Sequence, residues 1–281
     1  MDNQTWLEYF KTNERRAPAE IPARIAVSRT LRDPLAAALR LFQAGETGEG
    51  RVVHEARRVA PDDHAFQESM RLYIAEEGRH ARELGMLVRA VDPAPRPTIA
   101  PSATFTRARR LAGFWGKMAV LTAAEVVGIV FYDLLAESVP DPAFSSTVAN
   151  ISSEERAHIA FQRDTFERLA TRAPARAEGA ARWGLEVAML ATTGVATLAF
   201  AAQVRTLLSK LGVGPGAIVD ATRRVLREVV DTPSEVVVWR RARRAGPANE
   251  AAQGVVGSPR YSDAAGAPPR SLAPFGWLGA A

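Results

Sequence analysis

The chain of 281 residues contains no cysteine. That absence excludes disulfides, thiolate zinc sites, cysteine-ligated iron–sulfur clusters and a thiol nucleophile. Any metal must therefore be held by nitrogen and oxygen. Histidine is scarce as well, with 4 in the whole chain. Alternating polar and apolar runs, which mark half-buried strands, are nearly missing. The opening MDNQTWLEYF offers neither a basic nor an apolar leader region, so a cytoplasmic location is expected.

What is present is 47% hydrophobic residues, enough for one main domain with extensions. Apolar residues recur at helical spacing over long segments rich in Ala, Leu, Arg and Glu, which predicts an all-α protein. The net charge of +5 comes partly from RARR at 107–110 and RRARR at 240–244. Neither cluster interleaves aromatics. Both are read as solvated basic faces, with no nucleic-acid partner expected.

Four helices carry the informative pattern. The first is predicted to open at Asp33 as N-cap with Pro34 in the first turn and to run to about Ala60, before Pro61. The second starts near Asp62 or Asp63 and ends before DPAPRP at 92–97. The third spans about Phe105 to Ser138. The fourth starts at Asp141 and Pro142. Along each of the last three, one stripe is apolar except where an acid or a histidine interrupts it.

Those interruptions form a repeat. EEGRH at 76–80 and EERAH at 154–158 share the frame Glu-Glu-x-x-His. Residues three apart lie on one face of a helix, so Glu77 with His80, and Glu155 with His158, each aim at one point of the core. Glu125 stands alone between Leu121 and Ile129 on the third helix, and the first helix offers Glu46, with Glu49 as its competitor. Spacing favours Glu46. Glu125 to Glu155 is 30 residues (155 − 125) and Glu46 to Glu77 is 31 (77 − 46), whereas Glu49 would give 28 (77 − 49). A buried carboxylate in an apolar stripe needs a compensating charge, which a bound cation supplies. Two lone Glu and two Glu-x-x-His are the ligand set of dinuclear carboxylate sites in four-helix bundles. Their four negative charges balance two divalent ions, and hard ligands select iron or manganese, with zinc also open. The competing reading is buried salt bridges to Arg79 or Arg156. Glu76 and Glu154, one step before each ligating Glu, are read as outer or surface residues.

This pattern resembles the ferritin-like superfamily over about residues 30–170. The family includes bacterioferritins, rubrerythrins, aldehyde-deformylating oxygenases, acyl-carrier-protein desaturases and di-iron N-oxygenases. The resemblance implies a ferritin-like four-helix bundle holding two Fe ions, or a Mn/Fe pair, on Glu46, Glu77, His80, Glu125, Glu155 and His158. It also makes Glu77 and Glu155 the bridging carboxylates. The absence of cysteine excludes the rubredoxin iron of rubrerythrins. His54 and His64 sit in polar surroundings near helix ends and are read as surface residues. Tyr73 and Tyr132 are placed beside the site, as a hydrogen-bond or electron donor to it or as ordinary core tyrosines.

The expected organisation is an N-terminal extension over 1–30, the di-metal bundle over 31–172, additional packing helices over 173–232, and a basic then Gly/Ala/Pro-rich, largely disordered tail over 233–281. Residues 184–204 are long and apolar enough to span a bilayer, yet Glu186 and the small residues within them favour a buried fifth helix. A sixth carries Ile218, Ala221, Val225 and Val229. Two main functions follow from the resemblance. One is a di-iron oxygenase or oxidase taking O₂, a small organic substrate and electrons from an acidic ferredoxin. The other is an iron-handling or peroxide-detoxifying protein. A non-catalytic, metal-stabilised helical module is a third. Room beside Gly45, Gly48, Gly50 and Gly128 would favour the oxygenase. The sequence allows a homodimer without specifying one.

Overall fold

The computed structural model describes residues 1–47, 50–94, 113–170 and 191–244. Helices make up the described chain, with no strand among the described residues. They are α1 (Asn3–Glu14), α2 (Arg29–Glu46), α3 (Gly50–Val59), α4 (His64–Val91), α5 (Gly113–Ser138), α6 (Pro142–Ala170), α7 (191–203), α8 (Arg205–Lys210), α9 (Pro215–Asp231) and α10 (Ser234–Arg244).

The capping chemistry sets the two frame helices. Asp63 caps α4 by accepting from the Phe66 N–H. Asp141 caps α6 by accepting from the Phe144 N–H at 2.9 Å, with Pro142 in the first turn. Both starts agree with the sequence reading. The first helix differs in two ways. It opens earlier, after Ser28, and carries Pro34 inside it. It also stops at Glu46, and α3 follows as a separate helix. Pro34 lacks only its own N–H, and Leu35 and Leu39, which follow it, are fully buried.

The most extensive contacts join α5 with α6 and α2 with α4, and α4 meets α6 where the Glu-x-x-His frames face each other. One core gathers Leu35, Leu39, Leu84, Ile129, Phe131 and Phe144. A second gathers Trp6, Phe10, Phe66, Met70 and Phe161. The frames lie between apolar residues of both clusters. α5 is long and apolar enough to cross a membrane, and 78% of its most apolar window is buried.

Two expectations are corrected, and the N-terminal extension gains a helix. The 1–30 extension contains α1, which packs on α4 and buries Trp6 and Phe10 completely or nearly so. The start of the 233–281 tail is α10, packed on α6, and Arg241 within RRARR is buried rather than solvated. The apolar fifth segment is covered on one side only. Thr193, Thr197 and Phe200 are buried, while Val195 and Leu198 stand 68% and 67% exposed. The sixth helix agrees, with Ile218, Val225 and Val229 buried along α9. Glu49, Gly48, the RARR cluster, the first part of the apolar segment and the Gly/Ala/Pro-rich tail lie outside the described residues.

Candidate metal centre

The helical register of α4 and α6 turns both Glu-x-x-His faces inward, and packing brings them together. Glu77, His80, Glu155 and His158 are all buried, with ligand atoms within 4.8 Å of one another, and could hold a metal ion. His80 Nδ1 lies 2.9 Å from Glu155 Oε1. His158 Nδ1 lies 2.9 Å from both Glu155 Oε2 and Glu77 Oε1. Glu155 therefore offers one oxygen to each imidazole. Its two oxygens face two histidines.

The lone acids complete the ring. Tyr132 donates to Glu46 Oε1 at 2.6 Å, and Tyr73 donates to Glu125 Oε1. Both tyrosines are fully buried. Burial, then the charges of Glu77 and Glu155, push the Glu46 carboxyl well above its ordinary value. Burial likewise raises Glu125, followed by the opposing pull of His158 and the repulsion of Glu155 and Glu77. Burial works against a charged His80 or His158, but Glu155 and the neighbouring carboxylates outweigh it and raise both imidazoles well above the usual value. Burial also opposes the Glu155 charge, and the two histidines reverse that, holding its carboxyl down at about 2.

Four of the six predicted residues, Glu77, His80, Glu155 and His158, come together as one group, and the two predicted tyrosines touch the lone acids Glu46 and Glu125. His54 and His64 are exposed, away from the cluster. A third donor escaped the sequence reading. Gln162, one helical turn beyond His158, donates to Glu125 Oε1 at 2.7 Å and to the Tyr73 hydroxyl at 2.9 Å. Its i+4 spacing from His158 was the available signal.

The outer faces of the imidazoles meet the acids that precede each frame. His80 Nε2 lies 2.8 Å from Glu154 Oε2. His158 Nε2 lies 3.8 Å from Glu76 Oε2. Each histidine therefore faces the inner acids through Nδ1 and an acid of the opposite helix through Nε2. An outer carboxylate on a ligating histidine fixes ring orientation and raises its basicity.

Where the cations go bears on the salt-bridge alternative. Arg79 pairs with Glu76 at 2.7 Å and Glu154 at 3.1 Å. Arg156 turns away to Asp133 at 2.8 Å and Glu228 at 3.2 Å. Among the described residues no lysine or arginine pairs with Glu46, Glu77, Glu125 or Glu155. Meanwhile Glu125 Oε2 and His158 Nε2 are buried without a hydrogen-bond partner, and Glu77 Oε1, Glu155 Oε1 and His80 Nδ1 meet only the imidazole–carboxylate contacts above, which lack hydrogen-bond geometry. Buried polar atoms are normally paired, so an under-satisfied cluster of this kind points to a ligand. The donor set is oxygen and imidazole, which suits a hard or borderline divalent ion.

Comparison with protein-family models, curated proteins and solved structures finds no match to the chain. The class that fold and site define is an all-helical protein with a buried Glu/His centre able to hold metal.

Proposed function

We propose that α2, α4, α5 and α6 form a ferritin-like four-helix bundle around a dinuclear iron site, and that the protein is an O₂-activating oxidase or oxygenase of a small organic substrate. The observation that carries this is the segregation of charge. Among the described residues, the four inner carboxylates pair with no lysine or arginine, while the arginines nearby are taken up by other acids. Two divalent ions balance four carboxylates, and manganese in one position fits the same ligands.

In this reading Glu46, Glu77, His80, Glu125, Glu155 and His158 would hold the two ions. When bound, an Fe(II) pair supplies the two electrons that reductive chemistry on O₂ requires. The protein's own part is to keep the site dry and oriented. Tyr132 steadies Glu46, while Tyr73 and Gln162 steady Glu125. Tyr73 also stands with its ring 4.7 Å from that of His158, so it is placed to pass an electron or a proton toward Glu125. Electrons for repeated turnover come from an external donor of acidic ferredoxin type. A cytoplasmic location and, at most, a homodimer complete the proposal.

One set of observations favours the iron-handling alternative. A Cβ on Gly128 would meet the Tyr132 ring at 3.3 Å, so α5 is tightly packed beside the site. Gly45 and Gly50 are open, but at the exposed surface. A cavity of about 170 Å³ lined by Asp133, Ser153, Arg156 and Glu228 opens, by the register of α6, on the side away from Glu155 and His158. Iron titration under air separates the readings. An oxygenase stops at two irons per chain and continues to consume O₂ only with an electron donor and substrate. Oxidation and retention of many irons per chain would replace it with iron handling.

A further inference from the structure

The acids and bases outside the inner ring form a balanced cluster of their own. Glu154 is fully buried and accepts from three guanidiniums, those of Arg16, Arg79 and Arg241. Arg79 continues to Glu76 at 2.7 Å and stands 3.8 Å from the buried Glu83. Asn13 donates to Glu76 Oε1 at 3.0 Å. Three acids, Glu76, Glu83 and Glu154, thus face three arginines. The cluster is charge-neutral by itself and contributes no cation to the inner ring.

Its members come from distant parts of the chain. Asn13 lies in α1 and Arg16 just after it, Arg79 lies in α4, Glu154 in α6 and Arg241 in α10. Glu154 is also the residue on which His80 Nε2 rests. We infer that Arg241 and Arg16 are positioning residues for the metal centre. They hold the Glu154 carboxylate in place, so that His80 keeps Nε2 on Glu154 and presents Nδ1 to the inner site. The two terminal segments thereby become part of the metal site without contacting metal. The inference rests on the dinuclear reading above.

The physical reasoning is directional. Glu154 is a buried charge, and such a charge stays in place only while it is compensated. Arg241 is itself buried and lies against the Glu154 carboxylate. Removing it leaves Glu154 with fewer donors, free to swing toward Arg79 and off His80. That change loosens the His80 ring. Removal of an outer partner of a metal-ligating histidine typically costs about 10-fold to 100-fold in metal affinity. Glu76 stands farther from His158 than Glu154 from His80, so the effect falls on the His80 side first.

The test uses the full chain, labelled with ¹⁵N-histidine and loaded with Zn(II), a diamagnetic probe. With 4 histidines in the chain, two of them exposed, His80 and His158 are separable. The wild type is expected to show a slowly exchanging His80 Nε2–H and tight zinc binding. Arg241→Ala is expected to lose that protected proton and to weaken zinc binding about 10-fold or more. Arg241→Lys recovers part of both, and the exposed neighbour Arg240→Ala changes neither. Should Arg241→Ala not fold, Arg16→Ala carries the same comparison from a residue outside any helix. Unchanged Nε2–H protection and zinc affinity in the folded arginine variants would overturn this inference while leaving the metal centre standing. Absence of zinc binding in the wild type would overturn the metal reading and this inference with it.

Discussion

His80 Nδ1 lies 2.9 Å from Glu155 Oε1, although the two residues belong to different copies of the Glu-Glu-x-x-His frame. Without metal, that contact sets an imidazole against a carboxylate. The raised His80 and His158, and the raised Glu46 and Glu125, mean that protons fill the centre when cations do not. Metal must displace them, so binding releases protons and apparent affinity rises with pH. Calorimetric titration with Zn(II) in buffers of different ionisation enthalpy should show net proton release near neutral pH. Equal heats in all buffers would contradict it.

The same shifts fix the pH dependence of metal-free stability. A histidine whose folded value is raised stabilises fully below its unfolded value near 6.5, and that contribution is lost as pH rises through the folded value. Glu46 and Glu125, also raised, add a penalty that begins above about 4.5 and grows with pH. Glu155, held at about 2, acts in the opposite sense and loses its contribution only as pH falls from about 4.5 toward 2. The metal-free protein should therefore melt at progressively lower temperature from about pH 5 to pH 8. Metal at 100 times its Kd should restore about 2.7 kcal/mol. Thermal melts with and without chelator check both statements.

Glu155 faces both imidazoles, whereas His158 is one of a pair. Glu155→Ala should abolish binding at both positions, and His158→Ala should leave at most one metal per chain. Glu125→Ala should lose binding at one or both. Elemental analysis after loading decides, and two metals per chain in each variant would remove the ligand assignment.

The tyrosines separate support from ligation. Tyr132→Phe and Tyr73→Phe each remove a donor to a buried carboxylate, at a cost of about 1–3 kcal/mol to the folded protein. Both variants should still bind two metals. Tyr73→Phe should also slow reoxidation of the Fe(II)-loaded protein, read by stopped-flow absorption, if its hydroxyl passes protons or electrons to the site.

Much of this centre was legible in the sequence, because its signal is local. Glu77, His80, Glu155 and His158 share faces through three-residue spacing, and Glu125 shows itself as an acid inside an apolar stripe. The caps Asp63 and Asp141 were readable for the same reason. What stayed hidden depends on contacts across the chain. Arg241 sits in RRARR, which reads as a solvated cluster until Glu154, far back in sequence, is seen to receive it. Trp6 and Phe10 lie in a short segment whose burial comes from α4 and α6 rather than from its own pattern. Asp33–Pro34 is a strong local cap signal, yet α2 begins at Arg29, and Leu31 packs against the core ahead of the proline.

The most direct test of the central claim is the number of metals bound per chain after anaerobic loading with Fe(II), desalting and elemental analysis. A dinuclear centre on Glu46, Glu77, His80, Glu125, Glu155 and His158 predicts two irons per chain. No stoichiometric metal, with the protein folded, would contradict it and leave the paired frames as a buried network of carboxylates and protonated histidines.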